Sequence, residues 1–320
     1  MRKAVGIGET ILDIIFNGEQ PERSVVGGSI LNGMVSLSRL GIPVTFISET
    51  GDDRVGDMVR RFMSCNGINT DYIGRLEGRK SPVSLAFLGD DKNAEYIFHT
   101  DYPPKRLNMP VPEINENDIF AFGSFYALNP LYRERFVEFP KEAQKRGALV
   151  YYDPNFRASH KSDRDQLRRF VAENCEYATI VRGSDEDFHN LYEKTDVDDV
   201  YSEIIRPRCS CFITTHGADG VTLYTNNIKA HFDSIKITPV STIGAGDNFN
   251  AGIIYGLIKY DIGCRDIPEL NKEDWGKVIQ CGIDFSTEVC CRYSNYISPE
   301  FAEKYAFKSR SLGVKKIQDK

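Results

Sequence analysis

Short β-prone apolar runs alternate with stretches of helical periodicity over most of this chain, and that alternation constrains its fold more than any other feature. The extended candidates are Ala4–Ile7, Val44–Ser48, Ile119–Phe122, Leu149–Tyr152, Ala178–Val181, Cys211–Thr215 and Val221–Tyr224. Helical patterns lie between them at Ile30–Leu40, Val55–Asn66, Tyr132–Arg146, Asp163–Cys175 and Asp185–Tyr192, with two more at Asp247–Lys259 and Trp275–Cys291. Such alternation predicts an α/β fold, a mostly parallel sheet with helices on both faces. Two stretches break the rhythm. Residues 9–26 and 71–107 carry alternating β-prone runs such as Ser84-Leu85-Ala86-Phe87-Leu88 and Glu95-Tyr96-Ile97-Phe98. They read as a small strand-built lid inserted into a core formed by 1–8, 27–70 and 108–307. The polar, basic stretch 308–320 reads as a loosely held tail.

With 41% hydrophobic and 27% charged residues among 320, the chain reads as a soluble globular protein with a large core. Forty Lys and Arg against 46 Asp and Glu leave a net charge of -6, which gives a nucleic-acid partner no electrostatic support. No apolar run approaches a membrane span, and the start reads as a first strand rather than a signal peptide. The eight cysteines are scattered and make no C-x-x-C pair, so a reducing cytoplasm is the expected setting.

The chemistry concentrates at Thr242-Ile243-Gly244-Ala245-Gly246-Asp247-Asn248-Phe249, between an extended run, Ile235–Val240, and the helical pattern beginning at Phe249. The first amides of a helix lack internal partners and sit at its positive end. Gly244 and Gly246 have no Cβ, so an anion can approach those amides and that of Ala245. Such a turn also serves as a tight connection, and an Asp in a first helical turn is favourable in itself. A carboxylate beside a phosphate site, however, repels the phosphate. The economical reason for Asp247 is proton removal from an attacking hydroxyl, the logic of a phosphotransferase. Upstream, Gly27-Gly28-Ser29-Ile30-Leu31-Asn32 places a Gly-Gly turn and an Asn at the start of another helix, where a polyhydroxyl ligand would find donors and acceptors.

These two segments resemble the two signatures of the PfkB (ribokinase-like) sugar kinases, in the right order and roughly two hundred residues apart. The resemblance covers about residues 1–300. It implies a ribokinase-like three-layer sandwich with a small β lid, and an ATP-dependent, magnesium-requiring transfer of a γ-phosphoryl group to a sugar hydroxyl. Asp247 matches the base, and Gly244, Ala245 and Gly246 the anion hole. Asp13, Gly27, Gly28 and Asn32 match sugar-binding positions. Asp153-Pro154-Asn155-Phe156-Arg157 resembles a run of fructokinases and 2-keto-3-deoxygluconate kinases, with Arg157 placed for a phosphate or an acidic substrate group. Thr215, Gly217 and Gly220 match a nucleotide loop; Ser184 and Asp187 match an element that supports phosphate and, indirectly, magnesium.

Three departures bear on the reading. Ser241 stands where the family usually has the Asp of a monovalent-cation loop, and Arg292 falls in that loop's second half, which argues against a bound potassium ion. Asp187 is shorter than the usual Glu. The lid run Tyr96–Asp101 lacks an Arg common in fructokinases. A fructokinase-like sugar kinase is therefore expected, with a sugar, ATP and a second subunit paired through the lid as its partners. The alternatives are a 2-keto-3-deoxygluconate kinase, a ribokinase or a nucleoside kinase of the same fold, or a weakly active sugar-binding regulator. A keto acid would call on Arg157, Lys105 or Arg106. Gly6-Ile7-Gly8 lacks the further Gly of a dinucleotide fingerprint, and no Walker-type loop is present.

Overall fold

The computed structural model describes residues 2–88, 94–156 and 163–306. Its strands, in chain order, are β1 (Ala4–Ile7), β2 (Ile11–Asn17), β3 (Gln20–Gly27), β4 (Val44–Gly51), β5 (Ile68–Asn69), β6 (Ile73–Leu76) and β7 (Val83–Leu88). There follow β8 (Ala94–His99), β9 (Ile119–Gly123), β10 (Leu149–Asp153), β11 (Ile180–Ser184), β12 (Phe212–Thr215), β13 (Val221–Tyr224) and β14 (Lys229–Phe232). Ten of them form one sheet in the order β14-β13-β12-β11-β10-β9-β1-β4-β5, with β6 added on β4. The sheet is parallel from β12 to β5, and β13 and β14 run antiparallel at one edge. A separate sheet has the order β3-β2-β7-β8. Within the 71–107 stretch, then, Ile73–Leu76 joins the large sheet, and Val83–Leu88 and Ala94–His99 join the small one.

Period-two alternation divides the strand side chains between two cores. Ile119, Ala121, Leu149, Tyr151, Ile180 and Ile213 face one core; Phe120, Phe122, Val150, Tyr152, Val181 and Phe212 face the other. Neither face of a parallel sheet can be left wet, which is why both halves of the alternation are apolar. The helices Ser29–Arg39, Ala245–Lys259 and Lys272–Cys290 cover the first face. Arg133–Lys145, Arg164–Tyr177 and Asp185–Tyr192 cover the second. Three layers result, as the alternation predicts.

β1 lies between β4 and β9, so the chain leaves it first to one side and later to the other. Ligands of open α/β sheets bind outside the strands' carboxyl ends at such a reversal. The helix Ala245–Lys259 points its first turn to that end. It is buried without interruption from Asn248 to Leu257, and close backbone approach makes this possible. A Cβ on Gly252 would lie 2.2 Å from the Cys281 carbonyl oxygen, and one on Gly33 2.9 Å from that of Asp247. Ile235–Val240, an extended run in the sequence, joins neither sheet. The chain leaves the sheet edge after β14, and this segment has no ladder partner; its apolar residues Ile235, Ile237 and Pro239 line a cleft instead.

Candidate active site

Gly244 caps the helix Ala245–Lys259 in the left-handed region at φ 78°, a conformation that favours glycine. The Asn248 side-chain amide locks this turn by donating to the carbonyls of Gly244 and Asn295, each at 2.8 Å. Ser36 Oγ in turn donates to Asn248 Oδ1. The first-turn amides therefore lie in a rigid collar that ties 242–248 to the loop around Asn295. Asn248 lies within an apolar helix and Asn295 in a loop, and neither residue type in such a setting carries a motif.

Asp247 faces the helix Ser29–Arg39. Its Oδ1 accepts from Ser29 Oγ at 2.9 Å and its Oδ2 from Asn32 Nδ2 at 2.8 Å. Asn155, at φ 37°, donates from Nδ2 to Ser29 Oγ at 2.6 Å. Asn32 thus orients the carboxylate, and its Oδ1 is buried without a partner. Ser29 and Asn155 complete the arrangement; both sat inside quoted motifs without an assigned role. Asp13, on β2, accepts from Ser84 Oγ of β7, and a Cβ on Gly27 would lie 2.6 Å from Asp13 Oδ2. Gly28, at φ 136°, would press a Cβ to 2.1 Å from the Glu9 carbonyl oxygen, so only glycine fits that crossing. Asp13, Gly27, Gly28, Asn32 and Asp247 come together at the carboxyl ends of the strands, beside the small sheet. Arg157 lies outside the described residues, as does the tail 308–320.

A cleft of about 580 Å³ opens on the other side of the first turn. Thr215, Gly217, Gly220, Ala245 and Gly246 line it, as does the apolar segment with Ile235 and Ile237. Ser184 and Asp187 sit differently. They form a reciprocal cap on the helix Asp185–Tyr192, with Ser184 N and Oγ donating to Asp187 Oδ2 at 2.6 and 2.7 Å. Burial, aided by the nearby Asp153 charge and opposed by Arg182, pushes the Asp187 carboxyl up to about 6. Among the described residues no group of three or more His, Cys, Asp or Glu could hold a metal ion. A divalent ion fits this site only as part of the nucleotide it accompanies.

Beneath Gly246 lies a buried network absent from the sequence reading. Asp153 Oδ2 accepts from Arg182 Nη1 at 2.9 Å and from Asn250 Nδ2 at 2.6 Å, while its Oδ1 accepts from the Asn155 amide at 2.9 Å. Arg182 Nη2 donates to Thr215 Oγ1 at 2.6 Å, and Tyr151 Oη donates to Asn250 Oδ1 at 3.0 Å. The signal available was a lone Arg within an apolar strand, Ile180-Val181-Arg182, which pattern alone cannot locate. Arg106 is committed elsewhere. It lies 3.5 Å from Glu49 Oε2, and Tyr132, Tyr126 and Tyr102 surround its guanidinium at 4.3, 5.2 and 4.9 Å. In the loop at Ser241, that hydroxyl accepts from the Ile243 amide at 3.2 Å, and the Val240 and Ser241 amides donate to Cys290 O. Arg292 pairs with Glu288 at 2.8 Å. A neutral hydroxyl, itself hydrogen-bonded, is a poor replacement for a cation-holding carboxylate.

Known proteins resemble this chain in sequence and in fold. The chain is 25% identical to a probable fructokinase-3 of Arabidopsis thaliana, over 84% of this chain and 81% of that one. It is 26% identical to fructokinase-1 of Zea mays, over 83% and 86%. Its match to a probable chloroplastic fructokinase-6 of Arabidopsis thaliana, at 27% identity, spans 62% of that protein. Among solved structures, aminoimidazole riboside kinase of Salmonella enterica, complexed with aminoimidazole riboside and an ATP analog, superposes with a TM-score of 0.78. That pair is 22% identical and covers 95% of this chain and 100% of the other. A fructokinase double mutant of Vibrio cholerae O395, in a fructose-, ADP- and potassium-bound form, gives 0.78 at 19% identity over 92% and 94%. The fold is accordingly ribokinase-like. Matched over residues 1–300 by the pfkB family carbohydrate kinase model, the chain belongs to that family of phosphotransferases acting on sugar hydroxyls.

Proposed function

We propose that this protein is a fructokinase-like kinase that transfers the γ-phosphoryl group of MgATP to a hydroxyl of a neutral sugar. The observation that carries the reading is Asp247, oriented by Ser29 and Asn32, in the first turn of a helix whose opposite side lines the large cleft. A sugar held by Asp13, Gly27 and Gly28 would present its hydroxyl to the Asp247 carboxylate. As the sugar oxygen bonds to the γ-phosphorus, the bond to the bridging β–γ oxygen breaks, the hydroxyl proton passes to Asp247, and MgADP leaves. The amides of Gly244, Gly246 and Asp247 would meet the charge spread over the transferring group, while that of Ala245 already donates to the Thr242 carbonyl at 3.2 Å. Thr215, Gly217 and Gly220 line the side where the nucleotide would lie, and magnesium carried on its phosphates would neutralise charge on the transferring group. Ser184 and Asp187 act from beneath, by fixing the start of the helix that follows β11.

Acceptors suit this substrate class. Asp13 and Asp247 can take hydrogen bonds from several hydroxyls, whereas Arg106 is caged against Glu49 and so is not free for a substrate carboxylate. Among the described residues that leaves only the exposed Lys105 of the cations a keto acid would call on, which favours a neutral sugar. The small sheet would fold over the sugar to exclude water, and its outer strands would meet a second subunit. The eight free cysteines support a reducing, cytoplasmic setting, and no helix among the described residues is long and apolar enough to cross a membrane. The test is coupled ADP release from MgATP over fructose, ribose, 2-keto-3-deoxygluconate, inositol and nucleosides. Fructose or a related neutral sugar should give the highest kcat/KM. Turnover confined to the keto acid would overturn the substrate assignment, and no turnover with any acceptor would overturn the kinase reading for this chain.

A further inference from the structure

We propose that Arg182 is a fixed cation of the phosphoryl-transfer site, supplying beneath the anion cup the positive charge that the Ser241 loop does not hold. The inference rests on the proposed function and deepens it. Arg182 projects from β11 and is 5% exposed, yet it lines the large cleft beside Thr215 and Gly246. A Cβ on Gly246 would stand 3.0 Å from its Nη1 and 3.3 Å from its Nη2, so the guanidinium lies directly against the first helical turn.

Two features make a merely architectural role inadequate. First, a guanidinium that neutralises a carboxylate frequently grips it with two parallel bonds. Here Nη1 alone reaches Asp153; Nη2 is given to the neutral Thr215 hydroxyl, and the buried Nε has no partner. The fork is turned toward the cleft. Second, the amino end of a helix is positive and disfavours a cation beside it. Arg182 is held there by Asp153, with Asp187 adding attraction, and an anion in the cup beside Gly246 would give the guanidinium a further partner. Ser241 offers no carboxylate for a mobile cation, and Arg292 is spent on Glu288. Among the described residues two cations line the cleft, Arg182 and Lys236, and Arg182 is the one that lies against Gly246.

The test compares Arg182→Met, Arg182→Lys and the double variant Asp153→Asn/Arg182→Met by kcat, by KM for sugar and by thermal melting. Removing both partners leaves no uncompensated buried charge, so the double variant folds even where the single methionine variant does not. If Arg182 supplies charge to the transferring group, kcat of the double variant falls by about 10²-fold or more, with KM for sugar little changed. Arg182→Lys keeps a cation and retains more of the rate than either methionine variant. Millimolar guanidinium should raise the rate of the double variant and leave the wild type unaffected. A double variant with wild-type kcat would show Arg182 to be only the counter-ion of Asp153. A lysine variant as slow as the methionine ones would equally overturn the proposal, because charge would then not be the quantity that matters. Wild-type protein that phosphorylates no acceptor would instead sink the proposed function before the variants are compared.

Discussion

Replacing Asp247 by Asn separates chemistry from architecture at this site. The carboxylate accepts from Ser29 Oγ at 2.9 Å and from Asn32 Nδ2 at 2.8 Å, and Ser29 Oγ also accepts from Asn155 at 2.6 Å. An Asn side chain fills the same space. Its carbonyl oxygen can accept from Asn32 while its amide donates to Ser29, whose oxygen has a second lone pair. The exchange therefore costs about 1 kcal/mol of stability, the scale of one rearranged hydrogen bond. The chemical loss is larger: an amide cannot take up the proton, and losing a general base lowers turnover by about 10²-fold or more, about 2.7 kcal/mol of barrier. Because the missing interaction develops in the transition state, kcat should fall with little change in KM. Coupled ADP release at saturating MgATP and sugar, paired with a thermal melt, measures both quantities. An Asp247→Asn enzyme with kcat within about threefold of wild type, a barrier change under about 1 kcal/mol, would refute the reasoning.

Three further outcomes are expected. Exchanging choline or sodium for potassium should leave the rate nearly unchanged, since Ser241 presents a neutral hydroxyl; a large rise with potassium would contradict this. Gly252→Ala should destabilise by about 3 kcal/mol, seen as a drop of several degrees in Tm, because its Cβ would strike the Cys281 carbonyl oxygen at 2.2 Å and neither backbone can yield. Asp187 carries a proton more readily folded, at about 6, than its usual 3.8. A raised carboxyl pKa means that stability from this group is lost as pH rises through the interval from 3.8 to about 6. Asp187→Asn, melted across pH 4 to 7, should therefore gain on wild type as pH increases, and a parallel pair of curves would refute the shift.

Part of the site was readable because its physics is local. A helix start announced by Gly244-Ala245-Gly246 needs only its own backbone, and Asp247 inherits its position from the helix that follows. The α/β layering was equally readable, since β-prone runs separated by helical stretches leave few ways to bury both faces. In Ile235–Val240 the alternation records which side is apolar, not what covers it; here the apolar side lines a cleft. Ser29, Asn155, Asp153, Arg182 and Asn250 meet from four separate segments, up to 221 residues apart in sequence between Ser29 and Asn250. No local pattern reports such a meeting.

The sequence alone thus determined the layered α/β class, the position of the amide cup and the acid beside it, because each depends on interactions within a few residues. Tertiary structure decided which partners orient that acid, that Asn32 serves Asp247, that Asp187 caps its own helix, and that a buried Arg182 lies under the cup. The reason is physical: hydrogen bonds and charges act over a few ångströms in space, and only the packing of helices on the sheet sets which residues come within that range.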